Sequence, residues 1–165
     1  MVLHTSFLSQ HVIEVSSVPK DVNGVATTGD YYSLKGAAGI VFIISQGAWA
    51  GGTPAVTLSQ ATDVAAAGAK ALSFTEKWSK VSLTGTLWVK STVVSDTFNL
   101  IVTANSMAAV EISAAQLDRD NLFDCVALNI ASPGENADLL QVTAILYGLR
   151  DQGDPATILY NPKVD

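Results

Sequence analysis

Three aspartates lie close together in the segment Leu117–Asp124, and carboxylates at this spacing can bind a divalent cation. Asp118, Asp120 and Asp124 would supply oxygen ligands of the kind that Ca²⁺ prefers. The common calcium loop also needs a glycine at its sixth position, and Phe123 stands there. A polar turn capped by aspartate and asparagine side chains explains the same residues. The sequence therefore predicts no metal site, and calcium binding by the three aspartates stays the alternative.

Nucleophilic catalysis needs a base beside a reactive side chain, and the chain has few candidates for either. Its one cysteine, Cys125, lies in the apolar run Phe123–Ile130 and is interpreted as a small, semi-buried hydrophobic residue. The two histidines, His4 and His11, both lie near the N-terminus. There is no Gly-x-Ser-x-Gly motif and no glycine-rich phosphate loop. These observations predict a protein that is not an enzyme and has no cofactor.

The composition favours protein contacts over contacts with nucleic acid or membrane. Only 15% of the residues are charged and 48% are hydrophobic, whereas an ordinary domain has about 25% charged residues. The net charge is -6, and the nine Lys and Arg residues form no basic stripe, so direct nucleic-acid binding is not expected. Neither a signal peptide nor a transmembrane helix is expected, because the N-terminal residues lack a basic region followed by a long apolar core and no apolar run is long enough to span a bilayer. We expect synthesis in a reducing cytoplasm and an outer surface partly covered by other protein.

Apolar and polar residues alternate along most of the chain, as they do in strands with one buried face. In one run, Val56 and Leu58 face one way, and Thr57 and Ser59 face the other. Asn105–Ser106 is expected to close a tight hairpin between residues 97–103 and 107–113. Such short strands predict an antiparallel β-sandwich, jelly-roll-like, with about eight to ten strands and minimal helix. The strand candidates are 10–18, 30–35, 39–46, 55–61, 71–77, 80–90, 97–103, 107–113, 123–131 and 138–149.

Two of these strands are apolar on both faces, which is typical of strands that are central in a sheet or that contact a partner. They are 39–44 and 138–149, and in the second strand Leu139, Ile145 and Tyr147 share a face. We interpret these three side chains as candidates for a partner interface.

Two further aromatic residues are candidates for the same interface. Trp49 lies in a segment of small residues, where it could anchor an interface, fold back over one end of the sandwich, or stack on a sugar. Tyr160 lies in the C-terminal tail. The predicted organisation is an N-terminal arm at 1–12, one β-sandwich domain at 13–150, and an extended C-terminal arm at 151–165, which would lie on a neighbouring subunit or be disordered.

Four segments of the chain carry a resemblance to a known class of protein. They are Asp30–Ile44, Val56–Val64, Leu117–Val126 and Ser132–Asp138. From Tyr31 to about Arg150 the chain resembles small structural proteins of tailed bacteriophages, in particular the β-rich decoration, or cement, proteins that bind the outside of the capsid. The shared features are patterns of strands and turns and not catalytic motifs.

The resemblance implies a partner, a location and an oligomeric state. The partner would be the major capsid protein, and the chain would hold adjacent capsomers together as a dimer or trimer on the capsid surface after synthesis in the host cytoplasm. No catalytic residues are carried over. Two other functions remain open: a different virion component, such as a head fibre, tail tube or baseplate protein, and a carbohydrate-binding β-sandwich.

Overall fold

Two antiparallel β-sheets make up the computed structural model, which describes residues 7–81, 87–150 and 161–163. The predicted all-β fold with minimal helix is confirmed, because the described helices are single 3-10 turns at Phe7–Ser9, Ala114–Gln116 and Arg119–Asn121. None of the helices in these ranges is long and apolar enough to span a bilayer. The strands are β1 (Val12–Asp21), β2 (Thr27–Thr28), β3 (Tyr32–Ser33), β4 (Gly39–Trp49), β5 (Ala55–Ala61), β6 (Lys70–Ala71), β7 (Glu76–Lys80), β8 (Val89–Thr92), β9 (Thr97–Asn99), β10 (Ser106–Ser113), β11 (Cys125–Ile130) and β12 (Asp138–Tyr147).

The strand order of the two sheets is that of a jelly roll. Sheet A has the order β1-β12-β4-β10-β7-β8. In sheet B, β2, β11, β5 and β6 follow one another, β3 also pairs with β11, and β9 also pairs with β5. The chain alternates between the sheets from β1 to β5, with β2 and β3 taken together, and again from β9 to β12. The first and last strands are neighbours in sheet A, as the predicted topology requires.

Alternation along the strands builds a hydrophobic core between the sheets. Tyr32 and Phe42 are fully buried in it, and their ring centres are 6.1 Å apart. The predicted inner face of Val56 and Leu58 is buried, and Thr57 is exposed. Because the core residues of β4, β10 and β12 are even-numbered, the odd-numbered residues in the regular parts of these strands point away from the core. Sheet A contributes Ile40, Phe42, Ile44, Ala108, Val110, Ile112, Leu140, Val142, Ala144 and Leu146 to the core.

The strands predicted at 71–77 and 80–90 have different bounds in the structure. Residues 70–71 form β6, which pairs with β5 in sheet B, and 76–80 form β7, which pairs with β10 in sheet A. Leu72 and Phe74, between them, are buried but belong to no strand. Their apolar alternation resembles a strand, although this segment is the crossing from one sheet to the other: the Leu72 amide still donates to the Leu58 carbonyl of β5 at 3.0 Å, but β6 ends at Ala71. Of residues 80–90, 82–86 lie outside the described part of the chain.

The predicted hairpin between 97–103 and 107–113 is wrong. β9 pairs with β5 in sheet B, whereas β10 pairs with β4 and β7 in sheet A. Asn105 does have the positive φ of a turn residue, at 55°. A turn residue between two apolar runs shows that the chain changes direction, but it does not specify which sheet the second run joins.

The described residues near the two termini lie close to the sandwich. The His11 ring stacks on Phe7 with ring centres 4.0 Å apart, just before β1. Near the C-terminus, the Ser33 amide donates to the Pro162 carbonyl at 2.8 Å, and Lys163 forms an ion pair with Asp30 at 2.8 Å. Of the predicted arms, residues 1–6, 151–160 and 164–165 lie outside the described part, and the proposed arm contacts with a neighbour stay a prediction.

Candidate interaction face

The outer face of sheet A, defined here as the side chains of that sheet that point away from the core, is mostly apolar in the two rows described next, whereas the following row, Gln141, Ser45, Met107 and Lys80, is largely polar. Directly paired residues of neighbouring antiparallel strands project to the same side, so the register fixes which side chains are neighbours. One row across β1, β12, β4 and β10 consists of Ile13, Ile145, Val41 and Glu111. The next row adds β7 and consists of Val15, Thr143, Ile43, Ala109 and Trp78. Glu111 is the one charged side chain in these two rows.

Much of this apolar surface is open to water. Ile13 and Leu139 are each 46% exposed and Val15 is 47% exposed. Ile43 and Ile145, on the adjacent strands β4 and β12, are half-buried. Single exposed apolar residues are ordinary, but a continuous apolar area on a sheet face is typical of a surface that binds another molecule.

The outer face of sheet B has the opposite character. One row across four of its strands carries hydroxyl and amide side chains and no charge. The Ser59 hydroxyl, beside this row, accepts hydrogen bonds from the Tyr31 hydroxyl at 2.7 Å and from the Asn129 amide at 3.0 Å. Such a face is well hydrated and offers a protein partner little apolar area to bury. The row consists of Thr28, Asn129, Thr57 and Thr97.

The edge of sheet A at β1, which pairs only with β12 among the described residues, is poorly suited to pairing with a further strand. The β1–β12 register shifts between Val15 and Ser17 and again between Ser17 and Lys20. Pro19 lies within the second irregularity and has no amide hydrogen to donate. Bulges, proline and lysine are features that block edge-to-edge association of sheets. At this end of sheet A, the face is therefore better suited than the edge to bind another protein.

Tyr147 extends across the outer face of sheet A because its partner on β4 is a glycine. Tyr147 pairs with Gly39, and a methyl group on Gly39 would lie 2.6 Å from Cζ of the tyrosine ring. The ring therefore occupies the space that a side chain at Gly39 would take, and its hydroxyl interacts with Glu111 on β10. Burial, hydrogen bonding to Glu111 and the charge of Glu111 together raise the pKa of Tyr147 to about 12.

A pocket of about 200 Å³ opens beside this tyrosine. Two of its carboxylates differ in their partners: Glu76 is 2.6 Å from Lys90, whereas Glu111 has no cation within ion-pair distance among the described residues. Lys90 Nζ also lies 5.7 Å from the centre of the Trp78 ring. The pocket thus combines aromatic walls with one carboxylate that lacks a counter-ion. Its lining residues are Phe74, Thr75, Glu76, Trp78, Glu111, Ser113, Gln116 and Tyr147.

Trp49 does not belong to the outer face of sheet A, although its odd number suggests that it would. The β12–β4 register shifts between Asp138 and Leu140, so that Trp49 pairs with Asp138. A bulge of this kind re-aims the side chains that follow it. Trp49 is half-buried against the hydrophobic core, and its indole N–H donates to the Gly52 carbonyl at 3.2 Å. The structure thus places it at one end of the sandwich, which was one of the alternatives considered.

The structure brings Leu139, Ile145 and Tyr147 together on the outer face of sheet A, whereas Tyr160 lies outside the described residues. The sequence did not single out Ile13, Val15 and Glu111 for this face. Alternation along a strand shows which residues share a side, but only the pairing of β1 with β12 shows that both strands contribute to one surface. Trp78 also lies on this face.

Two of the three aspartates considered as calcium ligands, Asp118 and Asp124, have other partners in the structure. The Asp118 carboxylate accepts from the Lys70 ammonium and, at 3.0 Å, from the Asn121 amide; these hydrogen bonds lower the pKa of Asp118. Asp124 lies 3.5 Å from Lys35, and Asp120 is exposed. Over the described ranges, no group of three or more His, Cys, Asp or Glu residues is placed to hold a metal ion. Cys125 is fully buried.

Comparisons with known proteins give one likeness in overall structure. No protein-family model matches the chain, and no curated protein matches it. Among solved structures, the chain is similar to the crystal structure of the SPBc2 prophage-derived protein YomS, with a TM-score of 0.45 and 11% sequence identity. The match covers 82% of this chain and 91% of the other. A likeness of this size supports no conclusion about what either chain binds.

Proposed function

We propose that this protein is a non-enzymatic structural component of a virion that binds the outside of an assembled capsid through the outer face of sheet A. The observation that carries the proposal is the apolar, weakly charged character of that face, set against the polar outer face of sheet B. The resemblance of Asp30–Ile44 and Leu117–Val126 to capsid decoration proteins supports the same function. It also suggests the major capsid protein as the partner.

The binding free energy would come mainly from removing apolar side chains from water. Complete burial of a Val, Leu or Ile side chain is worth about 1.5–3 kcal/mol relative to full exposure. Ile13, Val15 and Leu139 are about half covered in the free chain, so each would contribute on the order of 1 kcal/mol. A single copy would therefore bind with modest affinity after the cost of association.

Oligomerisation would raise this modest affinity. A dimer or trimer that contacts several capsomers at once gains avidity without any new type of contact. Because such a ligand binds the assembled shell better than its separate subunits, it stabilises the shell by linkage. The proposal therefore includes a homo-oligomer, whose mass light scattering would measure.

A charge placed on the outer face of sheet A tests the proposed function. Leu139→Asp would bury a carboxylate in the interface, and we expect it to reduce the amount of protein that sediments with the capsids of its virus by about tenfold or more. Thr57→Asp is the matched control, since it places the same charge at an exposed strand position on the outer face of sheet B. Circular dichroism of both variants would check that the β fold is retained.

Two results would contradict the proposal. One is equal sedimentation of Leu139→Asp and the unchanged protein; the other is loss of binding by Thr57→Asp alone. Electron microscopy of the particle distinguishes the related possibility, because density on a tail or baseplate, and not on the capsid, would indicate a different virion component.

A further inference from the structure

The pocket beside Tyr147 lies on the surface that we propose as the interface. Glu111 and Tyr147 belong to the outer face of sheet A, and Trp78 is two rows from Tyr147 on the same side. A partner lying on this face would therefore cover the pocket mouth. Since Glu111 has no cation within ion-pair distance among the described residues, covering it with apolar groups alone would bury a negative charge that has only the Tyr147 hydroxyl as a described partner, which is unfavourable.

We infer that the pocket receives an arginine side chain of the partner protein. This inference rests on the proposed function, because it takes the outer face of sheet A as the interface. The guanidinium would donate to the Glu111 carboxylate, and its planar face would lie against the Trp78 ring. The neighbouring Tyr147 and Ser113 hydroxyl oxygens add acceptors at the same site.

Several features of the pocket favour arginine over lysine. A guanidinium has five N–H donors in one plane, which suits a site where several acceptors surround one cavity. It also stacks on aromatic rings more readily than an ammonium does. The volume of about 200 Å³ has room for a long side chain but not for a folded element of the partner. Lys90, which is not among the residues lining the pocket, pairs with Glu76 at 2.6 Å and not with Glu111.

The partner surface is thereby specified in chemical terms. It would be an apolar patch that contacts Ile13, Val15 and Leu139, with one arginine projecting from it toward the end of the sheet where Tyr147 lies. An aspartate or glutamate at that position of the partner would meet Glu111 and be rejected. The apolar part of the face would supply affinity, and the pocket would fix the orientation of the partner.

A titration with a small probe tests the pocket without any capsid. N-acetyl-arginine amide is added to the full chain labelled with ¹⁵N, up to about 100 mM because an isolated side chain binds weakly. The indole N–H signal of Trp78, assigned by its loss in Trp78→Phe, reports binding. We expect a saturable shift with arginine, a smaller one with N-acetyl-lysine amide, and none with N-acetyl-citrulline amide, which has nearly the same shape without the charge.

Glu111→Gln supplies the decisive variant, with Glu135→Gln as its control on an exposed loop. Glu111→Gln should weaken arginine binding about three- to fivefold, and Glu135→Gln should leave it unchanged. Equal shifts with arginine and citrulline, or equal affinities of the Glu111→Gln variant and the unchanged chain, would overturn the inference. These outcomes say nothing against the capsid proposal, which is tested separately by the sedimentation of Leu139→Asp and Thr57→Asp with capsids.

Discussion

The contact between Tyr147 and Gly39 leads to a prediction about stability. In Gly39→Ala, the new methyl group would lie 2.6 Å from Tyr147 Cζ and 2.6 Å from the carbonyl oxygen of Ile112. Both separations are far below van der Waals contact. The tyrosine ring can rotate away, but the Ile112 carbonyl belongs to the backbone of β10 and cannot move without disturbing the sheet.

The size of the effect follows from two opposing contributions. Overpacking a close-packed site typically costs about 1–3 kcal/mol, and the backbone clash with Ile112 puts this site in the upper part of that range. Replacing glycine by alanine also reduces the conformational entropy of the unfolded chain, which stabilises the protein by about 0.4–1 kcal/mol. We therefore expect Gly39→Ala to lower the free energy of unfolding by about 1–2 kcal/mol.

Urea unfolding followed by tryptophan fluorescence would measure this loss. With a slope of about 2 kcal/mol/M, the midpoint should fall by about 0.5–1 M. In the double variant Gly39→Ala with Tyr147→Ala, the ring part of the clash is absent, so the two substitutions should cost less together than the sum of their separate costs. Gly47→Ala serves as a comparison, because its new methyl group would meet only the Leu139 side chain, at 3.2 Å, and no backbone atom closer than 3.9 Å. An unchanged midpoint for Gly39→Ala, or strict additivity in the double variant, would refute the packing explanation.

Two other predictions concern buried polar groups. Asp138→Ala removes the carboxylate that accepts hydrogen bonds from the Ala50 and Gly51 amides at 2.6 and 3.2 Å. It should lower the free energy of unfolding, measured by heat or urea, by about 1–2 kcal/mol. Asp120→Ala, at an exposed position, should leave the free energy of unfolding almost unchanged. For Tyr147, the folded state holds the hydroxyl proton more tightly than the unfolded state does. Its contribution to stability is therefore complete below pH 10 and is lost as the pH rises toward about 12. Tyr147→Phe should reduce the decline in the free energy of unfolding over that pH interval. An absorbance titration of the variant should also lack the highest tyrosine ionisation step. A titration curve identical to that of the unchanged chain would contradict the raised pKa of Tyr147.

The parts of the fold predicted correctly from the sequence are those in which each strand has one buried face. Val56 and Leu58 of β5 and Val110 and Ile112 of β10 are buried as expected. The errors lie where the chain crosses between sheets. Leu72 and Phe74 alternate as in a strand because they pack into the core during such a crossing, and burial alone does not require a strand partner.

The candidate face could be predicted only in part, because its strands are far apart in the chain. Leu139 and Ile145 were identifiable as the second apolar face of one strand. Ile13 joins them through pairing between β1 and β12, which no local pattern specifies. Trp49 illustrates a further limit, since one irregularity in the β12–β4 register turns its side chain toward the core. Short-range signals do not predict where a bulge occurs.

If the protein coats a capsid as proposed, the contrast between the two outer faces would also limit the thickness of that coat. A molecule that has docked through the outer face of sheet A would turn the row of Thr28, Asn129, Thr57 and Thr97 toward the solvent. That hydrated row offers a second molecule no apolar surface on which to bind. Coverage would therefore stop at a single layer, and finished particles would not adhere to one another through the exposed backs of their coats.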